Sequence, residues 1–258
     1  MSTEVAKRRA IFRGLHKDGC FVLPNPWDLG SVRRLEGLGF KALATTSAGF
    51  AWSMGRDDNT MTRDDVLGHL RMMCDATDLP VNADFEAGFA DEAEGVAANV
   101  LLAIETGVAG LSIEDRVGFE LYDLKRAQER IRAARQAIDQ SGQDVVLVGR
   151  CEGLLINRTD RTSTIDRMVA YAEAGADCLY APGMKEPSDI SALVAAVAPK
   201  PVNVMLIGPE MKVAAMADLG VRRVSTGGSL AAAAWAGFDD AVNKLVEQGH
   251  LPPRRPRS

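Results

Sequence analysis

Eight times along this chain a short apolar run gives way to a longer amphipathic stretch, and that alternation constrains the fold more than any other feature. The runs fall at residues 20–24, 41–46, 80–84, 110–114, 144–150, 177–180, 201–205 and 222–225. Each is rich in Val, Leu or Ile, as strands covered on both faces should be. Between them, 63–77, 92–106, 123–139 and 164–174 read as amphipathic helices. Thr62 and Asp91 are start signals, and Gly39, Gly107, Gly175 and Gly220 are stops just past helix ends. Eight strand–helix pairs predict α/β architecture of one kind, a closed parallel (β/α)8 TIM barrel. An open doubly wound sheet would carry a GxGxxG turn after its first strand, and this chain reads LPNPWDLGSV there. With 258 residues and no break in composition, 1–250 read as a single barrel domain and the Pro- and Arg-rich 251–258 as a disordered tail.

Charge and composition exclude several classes of partner. A net charge of −5 leaves no electrostatic footprint for nucleic acid. No apolar run reaches the length of a membrane span, and the charged N-terminus is unlike a secretion signal, so neither membrane insertion nor export is expected. Cys20, Cys74, Cys151 and Cys178 are scattered and form no CxxC pair, which reads as reduced thiols in a cytoplasmic protein.

A barrel builds its active site at the C-terminal ends of its strands. Reading those positions gives Asn25-Pro26-Trp27-Asp28, then Thr45-Thr46-Ser47-Ala48-Gly49 with Arg56-Asp57-Asp58-Asn59 in the loop that follows. Next come Asp84-Phe85-Glu86, Glu114-Asp115-Arg116, Arg150-Cys151-Glu152 and Asn203. Clustered carboxylates repel one another unless a cation sits among them. A hard divalent ion such as magnesium takes oxygen ligands of this kind, so Asp84, Glu86 and Glu114 are the metal candidates. On a continuing strand Asp84 and Glu86, two residues apart, would share a face. The competing explanation is an ion-pair network with Arg56, Arg116 and Arg150. Arg150 closes the apolar strand VVLVGR and is the candidate anchor for a substrate carboxylate.

In this order and spacing the segments PNPWD, TTSAG, GRDDN, DFEAGF, IED, GRCEG and AGAD make the chain resemble the isocitrate lyase/phosphoenolpyruvate mutase superfamily over nearly its whole length. The resemblance implies a barrel whose last helix is swapped between subunits of a homodimer or homotetramer. It implies magnesium, with manganese as a substitute, and a small 2-oxo or 2-hydroxy carboxylic acid that passes through an enolate. By this resemblance Asp84, Glu86 and Glu114 hold the metal. Asp57, Arg150 and Glu114 are the catalytic group, with Asp57 completing the metal surroundings. Trp27, Ser47, Ala48, Gly49, Arg150 and Asn203 line the substrate site. The implied activity is that of a carbon–carbon lyase or decarboxylase. Phosphonopyruvate mutase or hydrolase chemistry is the alternative, and a weakly catalytic barrel that binds a 2-oxo acid is the third reading.

The chain departs from the lyase pattern after its fourth strand. The lyases carry a K-[KR]-C-G-H loop there, whereas residues 114–123 hold no Cys, His or Lys. Phe89 stands where a Tyr is common. Cys151 adjoins Arg150 and should point to the opposite face as a buried thiol. Tyr122 and Glu120 are the groups that could enter the site from this loop. None of His16, His69 and His250 falls at a strand end.

Overall fold

The computed structural model describes residues 3–253. In chain order the elements are α1 (Thr3–Leu15), β1 (Phe21–Leu23), α2 (Leu29–Gly37), β2 (Leu43–Ala44), α3 (Ser47–Ser53), α4 (Arg63–Asp75), β3 (Val81–Asp84), α5 (Ala93–Glu105), β4 (Gly110–Glu114), β5 (Arg116–Val117) and β6 (Glu120–Leu121). They continue with α6 (Leu124–Gln140), β7 (Val146–Arg150), α7 (Arg161–Glu173), β8 (Cys178–Tyr180), α8 (Pro187–Val197), β9 (Val202–Met205), α9 (Val213–Asp218), β10 (Arg223–Ser225) and α10 (Ser229–Gln248). Eight of the strands form one parallel sheet in the order β1-β10-β9-β8-β7-β4-β3-β2, and β5 and β6 form a separate hairpin. Between β1 and β2 the ring is closed by the Ala44 amide donating to the Pro24 carbonyl at 3.1 Å. The (β/α)8 barrel therefore stands as the alternation predicted, with each strand inside the range read for it. The tail expected to be disordered lies, from residue 254 onward, outside the described residues.

Helix boundaries follow local chemistry. Asp28, Thr62 and Asp160 each cap a helix through reciprocal bonds with the residue three positions on. Asp91 starts no helix: Glu92 occupies that position, and Asp91 instead accepts the Tyr122 hydroxyl. Gly107 and Gly175 do end helices, at φ of 94° and 106°, a backbone region that favours glycine.

Alternation along the strands sorts side chains into two cores. The outer one packs Val81, Ala83, Leu111, Ile113, Leu147 and Leu179 against the helices. The inner one fills the barrel with Phe21, Leu23, Ala44, Val146, Val148, Cys178 and Tyr180. Phe12 of α1 plugs the N-terminal end, fully buried and edge-on to Phe21 and His16. With that end sealed by α1, the open end is the one where the strands terminate.

Candidate functional site

β3 stops at Asp84, and the chain then leaves the strand through left-handed residues, Glu86 at φ 45°, Gly88 at 75° and Phe89 at 56°. Asp84 and Glu86 thus do not share a face through strand alternation. Glu86 comes to the site through this turn, held by its carbonyl accepting from the Glu114 amide at 3.0 Å. Behind the turn the buried Arg130 guanidinium donates to the carbonyls of Ala87, Ala90 and Asp91.

Arg150 stands in the middle of the acids. Its Nη1 is 2.9 Å from Asp84, and its Nε lies 2.6 Å from Glu152 and 3.5 Å from Glu114. Burial alone would lower the arginine pKa, but Glu152, Asp84 and Glu114 together raise it well above its ordinary value. The other oxygen of Asp84 accepts from the Ser47 amide and hydroxyl, both at 3.0 Å. Glu152 is fixed in turn, because its amide donates to Asp115, which also accepts from Tyr171 and Arg167. Tyr180 places its ring under the Arg150 guanidinium, 5.2 Å from centroid to Cζ.

The remaining acids are held short of charge balance. Glu86 is pushed up to about 8, first by burial and then by Asp84 and Asp58, and its Oε1 is sealed from solvent without a hydrogen-bond partner. Burial raises Glu114 well above the carboxylate range; Arg150 opposes this, while Glu152, Asp84 and Glu86 add to it. Asp58 is raised by burial of its carboxylate and by Asp84. Among the described residues no three of these side chains converge as a ready-made cage. Magnesium does not require one, since it binds through one or two carboxylates and keeps several waters. A buried carboxylate oxygen without a partner, in a group of acids that hold one another's protons on, is a donor set that fits such an ion.

A cavity of about 180 Å³ opens at this end of the barrel. Ser47, Ala48, Asp58, Asp84 and Arg150 line its mouth, and Asn25, Thr45, Asn82, Ser112, Tyr180, Met205, Arg223 and Ser225 its walls and depth. Glu86 and Glu114 face an adjoining hollow of about 390 Å³, together with Asn59, Arg116 and Tyr122.

The geometry places several of the candidate residues away from the two cavities. Asp57 lines neither cavity; it is exposed, and its carbonyl accepts from Thr60. Its neighbour Asp58 lines the cavity instead, with its carboxylate toward Asp84 and Ser47. Asn203 lies one level too deep: it is 1% exposed and bonded to Ser225 and Arg223. Trp27 and Gly49 pack on each other rather than on the cavity. A Cβ on Gly49 would sit 3.0 Å from the Trp27 Cβ and 3.2 Å from that of Ala231, so only glycine allows α3 to approach so closely. Tyr122 lines the hollow beside Glu86 and Glu114 with its hydroxyl bonded to Asp91, whereas Glu120 pairs with Arg158. Cys151 is fully buried, its thiol pKa raised by burial. Sequence reasoning missed Asp58, Asn82, Ser112, Tyr180, Arg223 and Ser225. Except for Asp58 and the aromatic Tyr180, each is a polar residue at an inward position of an otherwise apolar strand, a signal that was available.

The family profile described as phosphoenolpyruvate phosphomutase matches residues 12–246. A solved structure from Burkholderia cenocepacia J2315, provisionally assigned as a lyase/mutase, superposes with a TM-score of 0.94 at 43% identity, covering 96% of this chain and 91% of that one. An oxaloacetate decarboxylase of Rhodopseudomonas palustris (strain BisA53) is 30% identical over 84% of this chain and 74% of its own length. The 2-methylisocitrate lyase of Escherichia coli (strain K12) is 34% identical over 57% of this chain and 52% of its own.

Proposed function

Since the chain belongs to the phosphoenolpyruvate phosphomutase family, we propose that it is a magnesium-dependent carbon–carbon lyase or decarboxylase acting on a small 2-oxo or 2-hydroxy carboxylic acid. The observation that carries this reading is the group of buried acids around Arg150, at the mouth of a cavity small enough for such an acid. Relatives that cleave carbon–carbon bonds, by their names a 2-methylisocitrate lyase and an oxaloacetate decarboxylase, support it.

The residues divide the work as follows. A magnesium or manganese ion held by Asp84, Glu86, Glu114 and Asp58 would supply Lewis-acid stabilisation of negative charge on the 2-oxo oxygen. Asp84, bonded to Nη1 of Arg150 in this structure, would be a ligand to that ion, and Nη1 of Arg150 is the donor that would grip the substrate carboxylate. Glu152 keeps the Nε of Arg150 and so holds the guanidinium plane in place. The Ser47 amide and hydroxyl, which now point at Asp84, are donors for a substrate oxygen at the same mouth. Glu86, whose neutral form is maintained by burial and by neighbouring acids, would have to be ionised to serve as a ligand. The exposed apolar side of α10 supports assembly with further copies of the chain, including the helix exchange of the superfamily. Four free cysteines, three of them buried, support a reducing, cytoplasmic setting.

The test is a panel of 2-oxo and 2-hydroxy acids with magnesium, oxaloacetate, 2-alkylmalates and phosphonopyruvate included, with pyruvate release followed. Asp84→Ala and Arg150→Ala, checked for folding by their melting, are expected to lower kcat/KM by about 100-fold or more. Rates equal to the parent's in both variants would overturn the reading.

A further inference from the structure

Below the acidic mouth, the floor of the cavity is formed by a second arginine. Arg223 opens β10, is 3% exposed and points into the barrel. Its surroundings differ from those of Arg150, the other arginine on this cavity, which is met by three carboxylates. Arg223 has only neutral partners: Nε donates to the Asn203 amide oxygen at 2.9 Å, and Nη1 lies 3.3 Å from that of Asn82 and 3.4 Å from Nε2 of His16. His16 is itself held neutral, pushed down to about 3 by burial and by Arg223, so it accepts rather than compensates. Among the described residues no carboxylate pairs with Arg223, and its Nη2 makes no hydrogen bond. That nitrogen is not sealed off, as the orphaned buried atoms elsewhere in the chain are. A buried cation without a counter-charge is costly, and this one is aimed into an open cavity whose walls carry hydroxyls and amides.

We propose that Arg223, with Asn82 beside it, is a second anion subsite that receives the distal carboxylate of the substrate. Asn82 and Asp84 are two residues apart on β3, so Arg223 lies roughly 7 Å deeper than the acidic mouth. With carbon–carbon bonds of about 1.5 Å, a chain of about four or five carbons carries one carboxylate at Arg150 and another at Arg223. This inference rests on the proposed 2-oxo-acid reading of the same cavity and narrows it to dicarboxylates that enter the barrel end-on. A carboxylate held by Arg223 keeps its charge. Its loss as neutral carbon dioxide would strip the ion pair of its anion, so the subsite favours substrates cleaved at another bond.

The experiment is calorimetric titration of the full chain with magnesium present, using three stable probes: oxalate, malate and 2-hydroxybutyrate. Oxalate spans only the mouth, while malate and 2-hydroxybutyrate differ by the distal carboxylate. The parent protein is expected to bind malate at least tenfold more tightly than 2-hydroxybutyrate. Arg223→Gln should abolish that preference and leave oxalate within about twofold, and Arg223→Lys should retain part of it. A parent protein that binds oxalate without preferring malate overturns the subsite alone, as does a folded Arg223→Gln that keeps the preference. If Arg223→Gln does not fold, the parent's preference and its reduction in Arg223→Lys decide the matter. A parent protein that binds no oxalate with magnesium overturns the reading of the whole cavity, and the subsite with it.

Discussion

One backbone step separates Asp57 from Asp58, yet only Asp58 has its carboxylate against Asp84, Ser47 and Arg150. The acids at strand ends could be assigned from sequence because a strand fixes which way each residue points. The loop after α3 has no such period, and its left-handed residues Gly55 and Asn59 set the direction instead. Asp58→Ala is therefore expected to lower kcat/KM by about 10- to 100-fold, and Asp57→Ala to stay within about twofold of the parent. Steady-state kinetics of the two variants, side by side, decide between them. The reverse order would return the role to Asp57. Asn203 teaches the same lesson inside the barrel. Its inward direction was legible from alternation, but its depth was not, because depth depends on the stagger of β9 against β8 and β10.

At the scale of elements, α10 stands apart. Over 20 residues it buries only Ala231, whereas Trp235, Phe238, Val242 and Leu245 form one exposed stripe at helical spacing. Trp235 and Phe238 are 42% and 58% exposed and pack edge-to-face on each other. A stripe of this kind is ordinarily covered, and a second copy of the chain is the partner the superfamily resemblance implies. The parent protein is expected to run as a dimer or tetramer in sedimentation velocity. Trp235→Glu combined with Phe238→Glu is expected to lower the mass to that of one chain. An unchanged mass would exclude α10 from the assembly. The hairpin β5–β6 was not expected from sequence. Its strands are two residues each, too short to show alternation, and it turns on Gly118 at φ 59°.

For the molecule as a whole, the acids at the mouth couple folding to pH and to metal. Glu86 has a folded pKa of about 8 against an ordinary 4.5, and Glu114 is raised in the same direction. Between those values the folded chain keeps protons that the unfolded chain has released. Their contribution to stability is complete below about pH 4.3 and is lost as pH rises through the folded pKa. His16 and His69, depressed to about 3 and 4 by burial, work the other way, but only below their ordinary 6.5. The clean window is therefore pH 6.5 to 8. There the Tm of the metal-free protein should fall with rising pH, and added magnesium should raise Tm more at pH 8 than at pH 6.5. Differential scanning calorimetry in matched buffers measures both. A magnesium shift that is equal at the two pH values would contradict the coupling.

By itself the sequence determined the barrel and the strand ends at which Asp84, Glu114 and Arg150 stand. Each of these follows from periodicity along one segment, and the order of the segments fixes which strands adjoin. Only the tertiary structure decided that Arg150 lies among the acids, that Glu86 enters through a left-handed turn and that Asp58, not Asp57, faces Asp84. It also placed Arg223 beneath them without a counter-charge. Those relations join residues far apart in the chain across a closed sheet. The stagger of the strands and the turns beyond their ends set them, and neither leaves a period in the sequence.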